Sequence, residues 1–162
     1  MSDTFSLSEV FRIAEGIERN GYEFYTQAAA AAQDAAARKV FRHLAEEEKE
    51  HQKVFTEMRQ AFCRQIDTHW FDPDGQAAAY LKTLADNHVF NLTQDVSTLL
   101  ASVQSSQSAL RMAIGFEKDT IAFFTVLKNA ATDENRQKVE LLIKEELDHI
   151  RQLAQVIAAL GP

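Results

Sequence analysis

Apolar residues recur every three or four positions along four long stretches of the chain, and in each the stripe is interrupted by a carboxylate or a histidine. From Ser6 to about Ala32, a helix would place Phe11, Ala14, Glu18, Tyr22, Tyr25 and Ala29 on one face, with Glu18 its one charged member. The run Ser6, Leu7, Ser8, Glu9 has the spacing of a capping box and marks the start. After a break at Gln33, with Asp34 as cap, a second helix is predicted to about Arg64, turning Val40, Leu44, His51, Phe55, Met58 and Phe62 inward. A third begins near Ser106 or Ser108 and reaches about Ala130, aligning Leu110, Ala113, Glu117, Ile121, Phe124 and Lys128. Thr132 and Asp133 offer caps for a fourth, whose Leu142, Glu146, His149, Leu153, Val156 and Leu160 face inward before Gly161 and Pro162 stop it.

Between Gln65 and Ser106 the period is lost. Asp72, Pro73, Asp74 and Gly75 form a turn signal, a short helix is predicted from Gln76 to about Asn87, and Trp70 and Phe71 are expected to anchor the segment to the rest. The joins are therefore short, long, short. A tight break makes the first two helices antiparallel neighbours, and likewise the last two. A helix rises about 1.5 Å per residue, so the middle connection is long enough to travel the full length of the bundle. The expectation is an all-α protein, a four-helix bundle with a long crossover between helices 2 and 3 carrying a short extra helix, and a single domain over residues 1–162. An up-down bundle with an insertion, or exchange of a helix pair between two subunits, fits the same pattern.

Composition narrows the chemistry. With 46% hydrophobic residues, five glycines and two prolines in 162 residues, the chain suits one helical core better than a turn-rich β protein. No apolar run approaches the ~20 residues that cross a bilayer, and no charged region leads into an apolar one near residue 1. A soluble, cytoplasmic protein is expected. A formal charge of −7 with no Lys/Arg cluster argues against nucleic acid and membrane surfaces as partners. The one cysteine, Cys63, excludes an internal disulfide and a four-cysteine metal site within the chain.

Two pairs, Glu48 with His51 and Glu146 with His149, have a spacing of three residues, which puts each pair on one helix face about a turn apart. Each pair can offer an oxygen and a nitrogen to one metal ion. The pairs belong to an internal repeat. The segment Ala14 to Thr26 aligns with Ala113 to Thr125, and Leu44 to His51 aligns with Leu142 to His149. Glu18 thereby matches Glu117, whereas Glu15 and Glu23 fall opposite Ile114 and Ala122. Two helix hairpins related by a pseudo-twofold axis would hold equivalent sites near that axis. Four inward carboxylates repel one another unless protonated or neutralised, and two divalent ions would offset their charge. Glu47 and Glu145, four residues before the histidines, flank the same stripes, and spacing leaves the choice between them and Glu48 and Glu146 open. Tyr25, about two turns from the site, is a candidate redox neighbour or hydrogen-bond donor, but its repeat partner is Phe124 and core packing is the expectation for both; His43, His69 and His88 lack such spacing and are read as surface or packing residues.

The segments Glu18-x-x-Gly21-x-x-Phe24-Tyr25, Glu48-x-x-His51, Phe116-Glu117-Lys118-Asp119 and Glu146-x-x-His149 resemble those of the rubrerythrin and ferritin-like di-iron carboxylate proteins, in a stand-alone bundle without a rubredoxin module. In that family a glutamate from each of two helices joins a Glu-x-x-His motif from each of the others. The resemblance implies six ligands: Glu18 and Glu117 as terminal ligands on opposite irons, Glu48 and Glu146 bridging, and one nitrogen each from His51 and His149. It is the resemblance that favours Glu48 and Glu146 over their neighbours. Two Fe ions are implied as cofactor, with Mn or Zn as alternatives. It further implies an oxidoreductase that oxidises ferrous iron with O2 or H2O2, draws on an external electron donor, serves oxidative-stress defence or iron homeostasis, and forms a homodimer. A non-catalytic iron-binding or storage-related protein is the alternative. Thr120 stands where peroxidase-type members carry an extra glutamate, and the chain lacks cysteines for an electron-transfer iron; both weaken the expectation of peroxide turnover.

Overall fold

The computed structural model describes residues 7–63, 76, 79–81, 83, 96–101, 103, 105–131 and 133–161. Five helices account for most of them: α1 (Leu7–Ala31), α2 (Ala35–Cys63), α3 (Val96–Ala101), α4 (Ser106–Ala130) and α5 (Asp133–Leu160). Residues 76, 79–81 and 83 are helical, as expected of the short crossover helix. The predicted turn at Asp72 to Gly75 and the residues His69, Trp70, Phe71 and His88 lie outside the described residues.

The ends of the helices follow local chemistry. Asp34 caps α2, its Oδ1 accepting from the amides of Ala36 at 2.8 Å and Ala37 at 2.9 Å. The cap of α4 is Ser105, one residue before the expected start: its backbone is extended, and its hydroxyl accepts from the Ser108 amide at 3.1 Å. Asp133 and Glu134 supply negative charge to the first turn of α5, and Gly161, with φ of 75°, ends that helix in the left-handed region open to glycine. The short α3 was not foreseen. Its six residues are too few to show a period, and it is held by burial of Val96 and by partial burial of Leu99 and Leu100 against the core.

Helix α1 packs along α2 and α4 along α5, and the two hairpins then close on each other. Their direction can be read from paired side chains. Phe55, seven residues after Glu48, meets Phe124, seven residues after Glu117, with ring centroids 4.8 Å apart, so α2 and α4 run parallel. The end of α1 at Ala31 lines a cavity with the start of α4 at Ser106, so these helices are antiparallel. Parallel α2 and α4 require a connection that runs the length of the bundle, which rules out the up-down alternative.

The core is aromatic at its centre. Phe11, Phe24, Tyr25, Phe41, Phe55, Phe123 and Phe124 are fully buried, each contributing about 1.5–3 kcal/mol relative to exposure. Among the described side chains the predicted stripes hold, with Tyr22, Ile121, Lys128, Val156 and Leu160 only half-buried at their edges; the side chain of Phe62 lies outside those described. Where the first hairpin joins its helices by an ion pair, Arg59 Nε to Glu15 Oε1 at 2.6 Å, the repeat places Ile114 and Ile157 in the second. Glu15 thus has a structural partner of its own, consistent with its lack of a matching acid.

Candidate metal centre

Seven polar or charged residues are buried among the described residues: Glu18, Glu48, His51, Glu117, Thr120, Glu146 and His149. Six of them are the residues singled out from the repeat, and the bundle brings all six together. They form two overlapping groups, Glu18–Glu48–His51–Glu146 and Glu48–Glu117–Glu146–His149, whose ligand atoms in each case lie within 4.8 Å of one another. Either group can hold a metal ion. Glu48 and Glu146 are common to both; Glu18 with His51, and Glu117 with His149, belong to one each.

Distances give the same division. Glu146 directs Oε1 to His51 Nδ1 at 2.9 Å and Oε2 to His149 Nδ1 at 2.7 Å, so its carboxylate spans the two imidazoles. Glu48 spans them more loosely, Oε2 lying 4.0 Å from His51 Nδ1 and Oε1 3.4 Å from His149 Nδ1. Glu18 approaches His51 at 3.5 Å, and Glu117 approaches His149 at 3.4 Å. The imidazoles stack almost parallel, their centroids 5.4 Å apart and planes 12° apart, an arrangement compatible with a pseudo-twofold axis between them. Gly21 makes room for one bridge: a Cβ there would stand 3.1 Å from the Cδ and Oε2 of Glu48.

Whether this set fits a cation can be judged from its unsatisfied atoms. Buried side-chain N and O atoms without a hydrogen-bond partner include Nδ1 of both histidines, both oxygens of Glu18 and Glu146, Glu48 Oε1 and Glu117 Oε2. Leaving one such group unpaired costs about 1–3 kcal/mol, and here they converge on a single spot. Lone pairs aimed at a common point, from four carboxylates and two imidazoles, suit divalent cations of the iron, manganese and zinc type.

Two further contacts answer a question the spacing left open. The outer nitrogen of each histidine meets an acid from the other motif-bearing helix: His51 Nε2 lies 2.9 Å from Glu145 Oε2, and His149 Nε2 lies 3.3 Å from Glu47 Oε2. Glu47 and Glu145 therefore face the outside of the rings, while Glu48 and Glu146 face the inside. A proton on Nε2 leaves the Nδ1 lone pair pointing into the cluster. Glu47 is held below the ordinary carboxylate range by its bond with His149, against the effect of burial. His43, expected at the surface, is exposed and 3.2 Å from Glu47.

Tyr25 combines the two roles that the sequence offered for it. It packs in the core, stacked on Phe41 and edge-on to Phe24, and its hydroxyl also donates to Glu117 Oε1 across the bundle. Burial, then the charges of Glu117 and Glu48, raises its pKa well above the phenol value and keeps it a donor. The repeat obscured this, because Phe124 at the matching position has no hydroxyl. The available sign was Tyr25's place seven residues after Glu18 on the same stripe.

Protons stand in for cations in the metal-free site. Glu117 is pushed up to about 8, first by burial and then by the charge of Glu146, against the pull of His149. Glu48 is raised by burial, then by Glu146 and Glu18. Burial would raise Glu146 too, but the imidazoles of His149 and His51 close to its two oxygens outweigh it and hold the carboxyl low. Burial works against charge on both histidines; the carboxylates around them, Glu145 and Glu146 foremost for His51 and Glu117 and Glu146 for His149, raise their pKa nonetheless.

This has a measurable result. Because Glu117 is raised from 4.5 to about 8, its protonation stabilises the metal-free fold fully below about 4.5, and that contribution is lost as pH climbs through about 8. The raised histidines have the same sign, whereas Glu146 loses its contribution only at much lower pH. A bound cation displaces these protons. The rise in Tm on adding manganous ion is accordingly expected to be larger at about pH 8 than at about pH 6, measured by calorimetry on the same preparation. An equal rise at both would contradict the protonated cluster.

With the geometry in place, comparison with known proteins defines the class first: a ferritin-like helical bundle. The fold matches a crystal structure described as a ferritin-like diiron-carboxylate protein from Thermotoga maritima, with a TM-score of 0.68 over 98% of each chain at 22% identity. More particularly, residues 2–59 match the family model described as Rubrerythrin, in keeping with the resemblance seen in the sequence. No curated protein matches the chain. Among the described residues no helix is long and apolar enough to cross a membrane.

Proposed function

We propose that this protein is a di-iron, or di-manganese, carboxylate oxidoreductase of rubrerythrin type, oxidising ferrous iron with O2 or H2O2. The observation that carries the reading is the convergence of partnerless lone pairs from Glu18, Glu48, His51, Glu117, Glu146 and His149 on one buried spot. Glu18 and His51 would hold one ion, Glu117 and His149 the other, and Glu48 and Glu146 would lie between. When bound, a ferrous pair supplies two electrons, enough with two protons to reduce H2O2 to two waters or O2 to H2O2.

The chain's own groups are arranged for that charge change. Glu146 and Glu48, each reaching towards both imidazoles, can follow a shift in charge from one half to the other without leaving the site. Tyr25 holds Glu117 by a hydrogen bond and keeps its proton. The surrounding phenylalanines exclude bulk water, which strengthens every interaction inside. An external electron donor would return the pair to the ferrous state, and a role in oxidative-stress defence or iron homeostasis follows from the reaction. We place the protein in the cytoplasm as a homodimer on the same reading.

A second reading, iron binding or storage without useful turnover, is favoured by Thr120, which puts a hydroxyl where a further carboxylate would bind metal. One experiment separates the two. Anaerobic loading should give two ferrous ions per chain; adding O2 or H2O2 should then produce near-ultraviolet absorbance with one oxidant consumed per pair. Continued consumption in the presence of a reductant supports the oxidoreductase, and a single round supports the binding protein. Failure to take up two ions refutes both.

A further inference from the structure

Thr120 is 2% exposed, and its Oγ1 has no hydrogen-bond partner. Every other partnerless buried side-chain atom among the described residues belongs to the six residues of the cluster or to Glu47, which faces His149. Thr120 follows Glu117 by one turn of α4 and so lies on the same helix face, buried like the cluster while being neither carboxylate nor imidazole.

The missing bond is informative. A helical threonine commonly returns its hydroxyl to the carbonyl four residues back. Thr56 does so to Gln52 at 2.9 Å, Thr83 to Ala79 at 2.9 Å and Thr125 to Ile121 at 2.7 Å. Thr120 does not, although the same bond to its own helix would relieve a cost of about 1–3 kcal/mol for a buried hydroxyl. The nearby acids do not take it either: both oxygens of Glu146 are directed at histidines, and Glu117 Oε1 receives Tyr25.

The repeat supplies an internal comparison. Thr120, one turn after Glu117, corresponds to Gly21, one turn after Glu18. On the Gly21 side the carboxylate of Glu48 rests against the helix, so that a Cβ there would stand 3.1 Å from it and push it aside by a few tenths of an ångström. On the other side the corresponding position carries a buried donor without an acceptor. The halves of the cluster are therefore inequivalent: one is closed by its own carboxylate, and the other presents a hydroxyl.

We propose that Thr120, with Glu117 and His149, forms a subsite for a small exogenous oxygen- or nitrogen-donor ligand, such as water, hydroxide or azide, on that half of the centre. The subsite rests on the two-metal reading above. Thr120 acts as a positioning residue that donates its hydroxyl hydrogen to the bound ligand. Gly21, at the matching position of the other half, has no side chain to donate, so the ligand is taken up preferentially on the Thr120 side.

The test uses the whole chain loaded with ferric iron, with azide as probe and the visible charge-transfer absorbance as readout. Iron content is measured in each variant by elemental analysis. With two ions retained, Thr120→Val, which keeps the shape and removes the hydroxyl, should weaken azide binding about 10-fold or more, the worth of one hydrogen bond to a charged ligand. Thr120→Ser should stay within about twofold of the parent. Unchanged azide affinity in Thr120→Val with two irons bound would overturn the subsite while leaving the metal reading intact, as would a parent protein that binds two irons and no azide. A parent that does not bind two irons removes both. Should Thr120→Val fail to fold, Thr120→Ala makes the same comparison against Thr120→Ser.

Discussion

Glu146→Ala is expected to cost the protein both metal ions, whereas Glu18→Ala is expected to cost only one. Glu146 is the one carboxylate with an oxygen within 3 Å of each histidine, at 2.9 Å from His51 and 2.7 Å from His149, so its loss opens both halves together. Glu18 touches one half alone, 3.5 Å from His51, and the group of Glu48, Glu117, Glu146 and His149 stays whole without it. Elemental analysis after dialysis should give fewer than one ion per chain for Glu146→Ala and about one for Glu18→Ala. The metal-free fold should also respond unequally. Removing Glu146 takes from both imidazoles the acid nearest Nδ1, whereas removing Glu18 takes one of several acids from His51 alone, so Glu146→Ala should lower the Tm of the metal-free protein more. Glu146→Gln, which preserves the shape, keeps the stoichiometry measurable if the alanine variant unfolds. Two ions retained in either Glu146 variant, or both lost on removing Glu18, would refute the division into two halves with shared bridges.

The parts of this site that could be read from the sequence were those fixed by period and repetition. Glu18 and Glu117 stood out because each was a charge in an apolar stripe, and burial in a bundle follows directly from that stripe. His51 and His149 stood out because their pairing with an acid one turn away occurs twice. The joins between helices were legible for a similar reason: Asp34 caps α2 because a side-chain oxygen beside free amides acts locally, without help from the rest of the fold.

What remained hidden depends on which side of a packed ring a group reaches. Spacing put Glu47 and Glu48 beside the same stripe but could not say that one would meet the inside of an imidazole and the other the outside, since that choice is made by the approach of α5. Tyr25 bonds to a residue on α4, 92 positions away, and the repeat pointed away from it because only one half has the hydroxyl. Thr120 was visible as a missing carboxylate but not as a buried hydroxyl without a partner, which depends on packing across the core. The direction of α4 relative to α2 also required contacts across the bundle, Phe55 with Phe124 above all.

Those outward acids lead to the second large effect, a selective one. Glu145→Ala is expected to weaken the ion at Glu18 and His51 by about 10- to 100-fold, and Glu47→Ala the ion at Glu117 and His149 by a smaller factor. The reason is geometric. Glu145 lies on a solvent-facing edge, its side chain 56% exposed, yet its Oε2 is 2.9 Å from His51 Nε2. That contact fixes which ring nitrogen carries the proton and so which presents a lone pair inward. Without it the ring can turn or take the other tautomer, and the inward lone pair is lost part of the time. Glu47 is farther from its ring, 3.3 Å, and divides its charge between His149 and His43, so less depends on it. Glu145→Gln should fall between the parent and Glu145→Ala, because an amide oxygen still accepts the bond while the charge is gone. Stepwise titration with manganous ion distinguishes the halves: each alanine variant should lower one of the two affinities and leave the other near its parent value. In the double variant the losses should exceed their sum only if the two histidines are coupled through their stacked rings, 5.4 Å apart. An alanine at Glu145 that leaves both affinities unchanged would show that the packed helices alone orient His51, and that the acid serves only the surface.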